Sequence, residues 1–487
     1  IFISVIFVFL TAFGVPQSTR AAGPLCVDPT NTSTCFATIQ EAVDAAVSGD
    51  VINVYPGTYS ETASNRFLYD ASGPYQFGIF VGQAKSGITI QGVDALGSPI
   101  TNYANVLATV NTNATNNFGP SGFFIEGDDV TIAGIRIGVN TTGQNKTIEV
   151  ISDNFTLKNS DIADLWGSVY LNDFRFDVLT TTSHVKGYRI EGNNFQTGVS
   201  LDIASGAGYS GPVSGRVISG NTFALGVGDN WPAISFSGSD TGVPWFVYSV
   251  GGAVIQGNTF VNLDPTGQFI RARGAYDNSQ FDWASYWNDN TFNKAVIVGV
   301  DPANDVRTYS YPNSYGTFNN VRRIGAVIQG ELDHAQSGDT VLVKAGTYAE
   351  NLTILTPVTL KGAQYNLAVS GRTAASVNES TIQGLVTVDA SNVVVDGFTL
   401  TNPSQTYALY VNNHTPSHSV ISITHNIVDN VGSPSLASNV HAILLNQGPD
   451  SVTISNNRFN NIKANTRSAS AIGVLDSVST NSSEGLI

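Results

Sequence analysis

The sequence predicts an all-β chain wound as a parallel β-solenoid, in two tandem coils that each open with a short cap helix. Three observations predict it. A segment that joins a short helix to a strand occurs twice, at Thr38 to Glu61 and again at Val327 to Glu350. A strand–turn–strand phrase recurs after each copy. Charged residues are only 12% of the chain while glycine reaches 48 residues, a composition too apolar for disorder and too poor in helix formers for a helical protein.

The first copy reads TIQEAVDAAVSGDVINVYPGTYSE. Ile39, Ala42, Val43, Ala46 and Val47 recur at helical period, with Gln40, Glu41 and Asp44 on the other face, and Gly49 is expected to stop the helix. Val51, Ile52, Val54 and Tyr55 then make a β-branched and aromatic strand that Pro56-Gly57 ends. The second copy, VIQGELDHAQSGDTVLVKAGTYAE, repeats the S-G-D, the G-T-Y and the final Glu. Val43 and Leu332 are expected to point onto the apolar ends of their coils.

This cap followed by a strand resembles the N-terminal end of right-handed parallel β-helix proteins of the pectin-lyase-like superfamily. It is most similar there to chondroitinase-B-like lyases and to parallel β-helix repeat surface proteins. The resemblance implies a right-handed parallel β-helix, with an amphipathic helix covering the first rung. It transfers no catalytic residue. The Gly-Thr-Val-Asp-Phe of pectin methylesterases and the Arg-x-Pro-x-x-Arg of pectate lyases are absent, and of the polygalacturonase motifs only an Asp-Asp occurs.

Ile1 to Gly14 is an uncharged apolar run followed by small and polar residues, as in a secretory signal peptide. The expected organisation is a signal peptide over 1–22, a first parallel β-helix over 24–308, a linker over 309–321 and a second, truncated β-helix over 322–487. Cys26 and Cys35 flank a turn-rich segment before the cap, and in a secreted chain they read as one local disulfide.

The repeated phrase appears as YRIEGNNF, RVISGNTF and AVIQGNTF ending at Phe195, Phe223 and Phe260, and after the second cap as VVVDGFTL and VTISNNRF. Alternating aliphatic residues form an inner row whose rungs stack at about 4.8 Å. Asn and Gly supply left-handed corners, and Asn193, Asn221, Asn258 and Asn290 read as a ladder of stacked amides rather than as ligands. Asp128-Asp129 reads as turn chemistry rather than as a glycosidase pair.

One cluster of inserts is rich in aromatics. It carries Trp231, Trp245 and Tyr248, then Tyr276, Trp283 and Trp287 beside Arg271, Arg273, Asp277 and Asp282. Rings with neighbouring charges suit a sugar site, because pyranose C–H faces pack on aromatic rings while hydroxyls bond to the charged groups. The competing reading is that these rings cover the junction before the second cap. Arg271 and Arg273 are two apart, so a strand would put them on one face, able to grip a carboxylate or sulfate. His414, His418, His425 and His441 read as loop and rung residues, with no metal site, since Pro416 prevents a helix between the first two.

The net charge of −15 disfavours nucleic acid, whose phosphates need basic partners. Two function classes remain. One is a secreted or cell-surface protein that binds carbohydrate or serves as a structural, adhesive stalk. The other is a polysaccharide lyase or glycoside hydrolase, with Arg271, Arg273, Asp277 and Asp282 as catalytic candidates. The expected partner is an extracellular polysaccharide, met by a monomer with no membrane insertion after signal cleavage. No motif requires a cofactor, and Ca2+ would enter only with a polyuronate substrate.

Overall fold

The computed structural model of the protein describes residues 24–62, 67–70, 73–113, 121–138, 146–163, 168–172, 187–204, 215–225, 232–237, 253–262, 267–273, 281–301, 305–313, 316–412, 418–447 and 449–475. The signal-peptide segment lies outside them. Each turn of the first coil contributes one strand to each of three parallel sheets. The first sheet has eight strands from Leu25–Val27 to Val254–Gln256, and the second has eight from Gly57–Thr62 to Thr291–Phe292. The third runs from Gly73–Val81 through Ser121–Ile125, Lys146–Val150, Ser168–Asn172 and Ser200–Ala204 to Ile234–Ser237 and Gln268–Arg273. The second coil repeats the order with five strands in each of its second and third sheets. Parallel pairing from rung to rung in both windings makes the fold a parallel β-helix, with antiparallel pairs at the Phe67–Asp70 hairpin and where the two coils join.

The residues shared by the two caps have shared jobs. The first helix, Ile39–Ala45, begins on a capping box between Thr38 and Glu41. It ends before Gly49, because the Asp50 carboxylate accepts from the Val47 N–H at 2.8 Å and Gly49 makes the turn at φ +86°. The carboxylate of Glu61, at the end of the G-T-Y phrase, accepts from the N–H groups of Ile39 and Gln40. Glu350 does the same for Ile328 and Gln329 in the second helix, Ile328–Leu332. Acidic groups belong there because the first helical N–H groups have no partner within the helix. Gln40, expected on the polar face, is buried: its amide oxygen accepts from the Phe80 N–H at 2.6 Å and its nitrogen donates to the Phe80 carbonyl at 3.2 Å. Gln329 makes the same two bonds to Thr353. Each glutamine thus stands in for a neighbouring strand at the open edge of the third sheet. Val43 and Leu332 are buried in the cores of their coils, as expected.

The stretch 309–321, expected as a linker, carries two strands. Tyr309–Asn313 pairs antiparallel with Gly316–Gly325, which in turn pairs antiparallel with Gln268–Arg273. Its Tyr and Val residues favour a pleated surface over a free connection. Val296–Asp301 pairs antiparallel with Thr340–Val343, the opening strand of the second coil. Ile297 belongs to the first core while Val296 and Val298 belong to the second, so one strand walls both. Its continuous apolar run Val296, Ile297, Val298 and Gly299 is buried throughout, as a strand covered on both faces demands.

Inside the coil the amide ladder forms as expected, with Asn193, Asn221, Asn258 and Asn290 bonded in sequence at 2.9–3.0 Å. Beside it Phe195, Phe223, Phe260 and Phe292 stack with centroids 4.5, 5.1 and 4.9 Å apart. Gly192, Gly220 and Gly257 precede the asparagines at φ +63 to +65°, the left-handed corner that a side chain disfavours. Asp128 accepts from the Asp153 N–H and Asp129 sits at φ 58°, which is turn chemistry.

Cys26 and Cys35 are disulfide-bonded, with Cα atoms 4.8 Å apart. The bridge ties the first strand of the first sheet to the loop that leads into the cap. Cys26→Ser is expected to lower the unfolding free energy by about 2–3 kcal/mol, the loop-closure entropy of so short a ring. Equal denaturant midpoints for parent and variant would show that the bridge adds nothing to the coil's stability.

Candidate functional site

The third sheet of the first coil carries the candidate site. Ile148, Val169, Leu201, Ile234 and Ile270 align in one row, and Val150, Leu171, Ile203, Phe236 and Ala272 in another, both turned into the core. Strand alternation then turns the row between them away from that core, although Phe124, Glu149, Ser235 and Arg271 in it are buried and Phe80, Tyr170 and Asp202 only partly exposed. In register that row reads Phe80, Phe124, Glu149, Tyr170, Asp202, Ser235, Arg271. At one rung per step it runs for roughly 30 Å. It begins aromatic, with Phe77 and Phe124 rings 4.3 Å apart, and becomes charged towards the second coil.

Neighbouring rungs are electrostatically joined. Lys146 Nζ lies 2.5 Å from Glu149 Oε1 and 4.7 Å from the centre of the Tyr170 ring. Ser200 donates to Asp202 Oδ2 at 3.0 Å. Burial pushes the Asp202 carboxyl up, opposed by the hydrogen bonds of Ser200 and Ser168 and the charges of Arg271 and Arg273. Burial likewise pushes the Tyr170 phenol up to about 12, with Asp202 and Glu149 adding to the shift and Arg273 opposing it. Two groups biased towards their protonated forms therefore lie beside two fixed cations.

Arg271 and Arg273 share the strand Gln268–Arg273, as their spacing predicts, and both act on Asp202. Three other expectations need correction. Trp283 and Trp287 are 1% and 8% exposed and belong to the first core, so neither can stack on a sugar. They lie on a helix, Trp283–Asn288, whose Tyr286 hydroxyl donates to the Ala253 carbonyl at 3.0 Å. Asp282 is its N-cap, accepting from the Ser285 N–H, and this accounts for the carboxylate without catalysis. The signal was present: Trp283, Tyr286 and Trp287 stand at i, i+3 and i+4 behind a capping Asp. Trp231, Trp245, Tyr248, Tyr276 and Asp277 lie outside the described residues, as does His414.

His418 pairs with Asp389 at 3.0 Å and His425 with Asp396 at 3.1 Å, each a contact between successive rungs. Among the described residues no cluster of three or more His, Cys, Asp or Glu could hold a metal ion, and no helix is long and apolar enough to cross a membrane.

Fold and site together define a tandem parallel β-helix protein with a charged row on one sheet of its first coil. Among solved structures the chain is similar to a pectin methylesterase from Aspergillus niger, at 11% identity over 95% of this chain and 92% of that one, with a TM-score of 0.27. It is similar to an alginate lyase from Paenibacillus at 12% identity, over 93% and 99% of the two chains, with a TM-score of 0.21. A family 28 exopolygalacturonase from Yersinia enterocolitica matches at 12% identity, over 93% and 78%, with a TM-score of 0.23. These similarities assign no activity. No protein-family model and no curated protein matches the sequence.

Proposed function

We propose that the protein engages an extracellular acidic polysaccharide along the outer row of its first coil. One observation carries this reading: a chain that is only 12% charged places Lys146, Glu149, Asp202, Arg271 and Arg273 on strands of one sheet face. Such groups are expensive to desolvate, and their concentration marks a site more than a scaffold. Arg273 offers forked donors to a uronate carboxylate or sulfate ester and Phe80 an apolar contact for a sugar ring, both being partly exposed, while the buried Arg271 and Phe124 lie behind them. The disulfide supports an extracellular setting, whether the chain is released or held at the cell surface. Ca2+ enters this reading only as a bridge between carboxylates of the polymer and of the protein.

A lyase reading rests on the proton donors. In β-elimination a base removes the proton beside the uronate carboxyl, and an acid protonates the departing glycosidic oxygen as the C–O bond breaks. Tyr170, neutral at ordinary pH, suits the acid, and the two arginines would neutralise the carboxylate. Affinity electrophoresis in alginate, polygalacturonate and chondroitin sulfate tests the binding step. Arg271→Ala is expected to weaken binding to at least one of them by about tenfold or more, and added salt to weaken it further. Parent-like retardation of both Arg271→Ala and Asp202→Asn would overturn the proposal. Unsaturated products from the parent that disappear in Tyr170→Phe would make the protein a lyase; their absence from the parent leaves it a binder.

A further inference from the structure

The second coil repeats the sheet order of the first, and its third sheet has an outer face of different chemistry. There Tyr407 pairs with His441 and His441 with Ser470, while Tyr410 pairs with Leu444. The Tyr407 and Tyr410 rings are 5.8 Å apart and inclined by 21°; the Tyr407 and His441 rings are 6.2 Å apart and inclined by 12°. Three nearly parallel rings thus span two rungs. All three are partly exposed, unlike the buried Trp283 and Trp287.

The rings are held in place. Asn446 donates to the Tyr410 hydroxyl at 2.6 Å, and that hydroxyl donates to Asn412 Oδ1 at 3.2 Å. His441 Nδ1 and Ser470 Oγ are 2.6 Å apart. Gly473 leaves room for the imidazole, since a side chain there would overlap it. Leu444 lies on this outer face, outside the core cluster and yet buried, giving an apolar floor between the rings. Burial holds the His441 imidazole below its ordinary range, so the ring is neutral at physiological pH. The aligned positions Thr353, Thr387, Tyr410, Leu444 and Gly473 include no Lys or Arg, and Asp389 beside them is paired with His418.

From this geometry we infer a second carbohydrate site, on the third sheet of the second coil, built for a neutral pyranose oligosaccharide. The rings supply faces for sugar C–H groups, and the side-chain amide of Asn446, which spends one N–H on Tyr410, supplies a donor and an acceptor for hydroxyls. With no Lys or Arg among the described residues of that row to match a uronate, it complements an uncharged sugar, whereas the first coil's row complements an acidic one. The inference stands on its own residues and does not depend on the function proposed for the first coil.

The test is calorimetric titration of the full chain with cellohexaose, xylohexaose, mannohexaose and a β-1,3-glucan hexamer. At least one should bind. Tyr407→Ala should weaken that binding by about tenfold or more, the scale of losing one stacked ring. Tyr410→Phe, which keeps the ring and removes the hydroxyl, should weaken it less, and Arg271→Ala should leave it unchanged. Melting of each variant checks its fold; if Tyr407→Ala fails to fold, His441→Ala takes its place with the same expected loss. No binding of any hexamer, or binding that survives the loss of Tyr407 or His441, would overturn the inference. Loss of neutral-sugar binding in Arg271→Ala would move the site to the first coil.

Discussion

Asn221→Ala is expected to lower the unfolding free energy by roughly 3–5 kcal/mol, far more than a surface substitution of the same size. Asn221 is 1% exposed and sits in the middle of the ladder. Its side-chain oxygen accepts from the backbone N–H of Asn193 at 2.9 Å and from that residue's amide at 3.0 Å. Its side-chain nitrogen donates to the Ile190 carbonyl at 2.8 Å and to Asn258 Oδ1 at 3.0 Å. Alanine removes all four bonds and leaves a buried backbone N–H and a buried carbonyl short of partners. Each such group costs about 1–3 kcal/mol when water cannot reach it. Asn221→Asp discriminates ladder from packing, because it preserves the shape while deleting the donor and burying a charge. Equilibrium denaturation followed by far-ultraviolet circular dichroism measures both variants. A loss below about 1 kcal/mol for Asn221→Ala would mean that water replaces the missing amide.

The ladder, the caps and the disulfide were legible in the sequence because each rests on local chemistry. A Gly-Asn corner needs a left-handed residue followed by an amide, and the pair can be seen without knowing what stacks on it. The duplicated S-G-D and G-T-Y-x-E phrases mark residues whose bonds close within one turn of the coil, such as Asp50 to Val47 and Glu61 to Ile39. The outer row was not legible. Glu149, Tyr170, Asp202, Ser235 and Arg271 each look like the solvent-facing residue of an ordinary short strand, flanked by aliphatics. Only the register of stacking aligns them, and inserts of unequal length separate their strands in sequence. Arg271 and Arg273 could be found because their pairing is within one strand. Trp283 and Trp287 were misread for a related reason. Charged neighbours suggested a sugar site, but helical spacing behind Asp282 turns those rings inward, and Lys344 of the second coil lies 4.5 Å from the Trp287 ring.

A buried ion pair lies at the join between the coils, and Glu331→Ala is expected to destabilise the protein by about 3–5 kcal/mol. Arg323 lies on the strand Gly316–Gly325 and Glu331 on the second cap helix, Ile328–Leu332, with Nε and Oε1 2.5 Å apart. Glu331 is 1% exposed, and Gly325 is a glycine where any side chain would overlap its carboxylate. Arg323 also donates to the Gly330 carbonyl at 3.1 Å and lies 5.0 Å from the Tyr309 ring. Removing the carboxylate takes its bonded acidic partner from a buried guanidinium, and that loss sets the size of the effect. Replacing both partners, as Arg323→Met with Glu331→Leu, removes both charges and should recover most of the loss, because the pair's own attraction is largely offset by the desolvation of its members. Glu331→Gln should fall between, since it keeps an acceptor for Arg323 without a charge. Denaturation of Arg323→Met, Glu331→Leu and the double variant gives the coupling energy directly. If the double variant is as unstable as Glu331→Ala alone, the junction depends on packing around these side chains and not on the pairing of their charges.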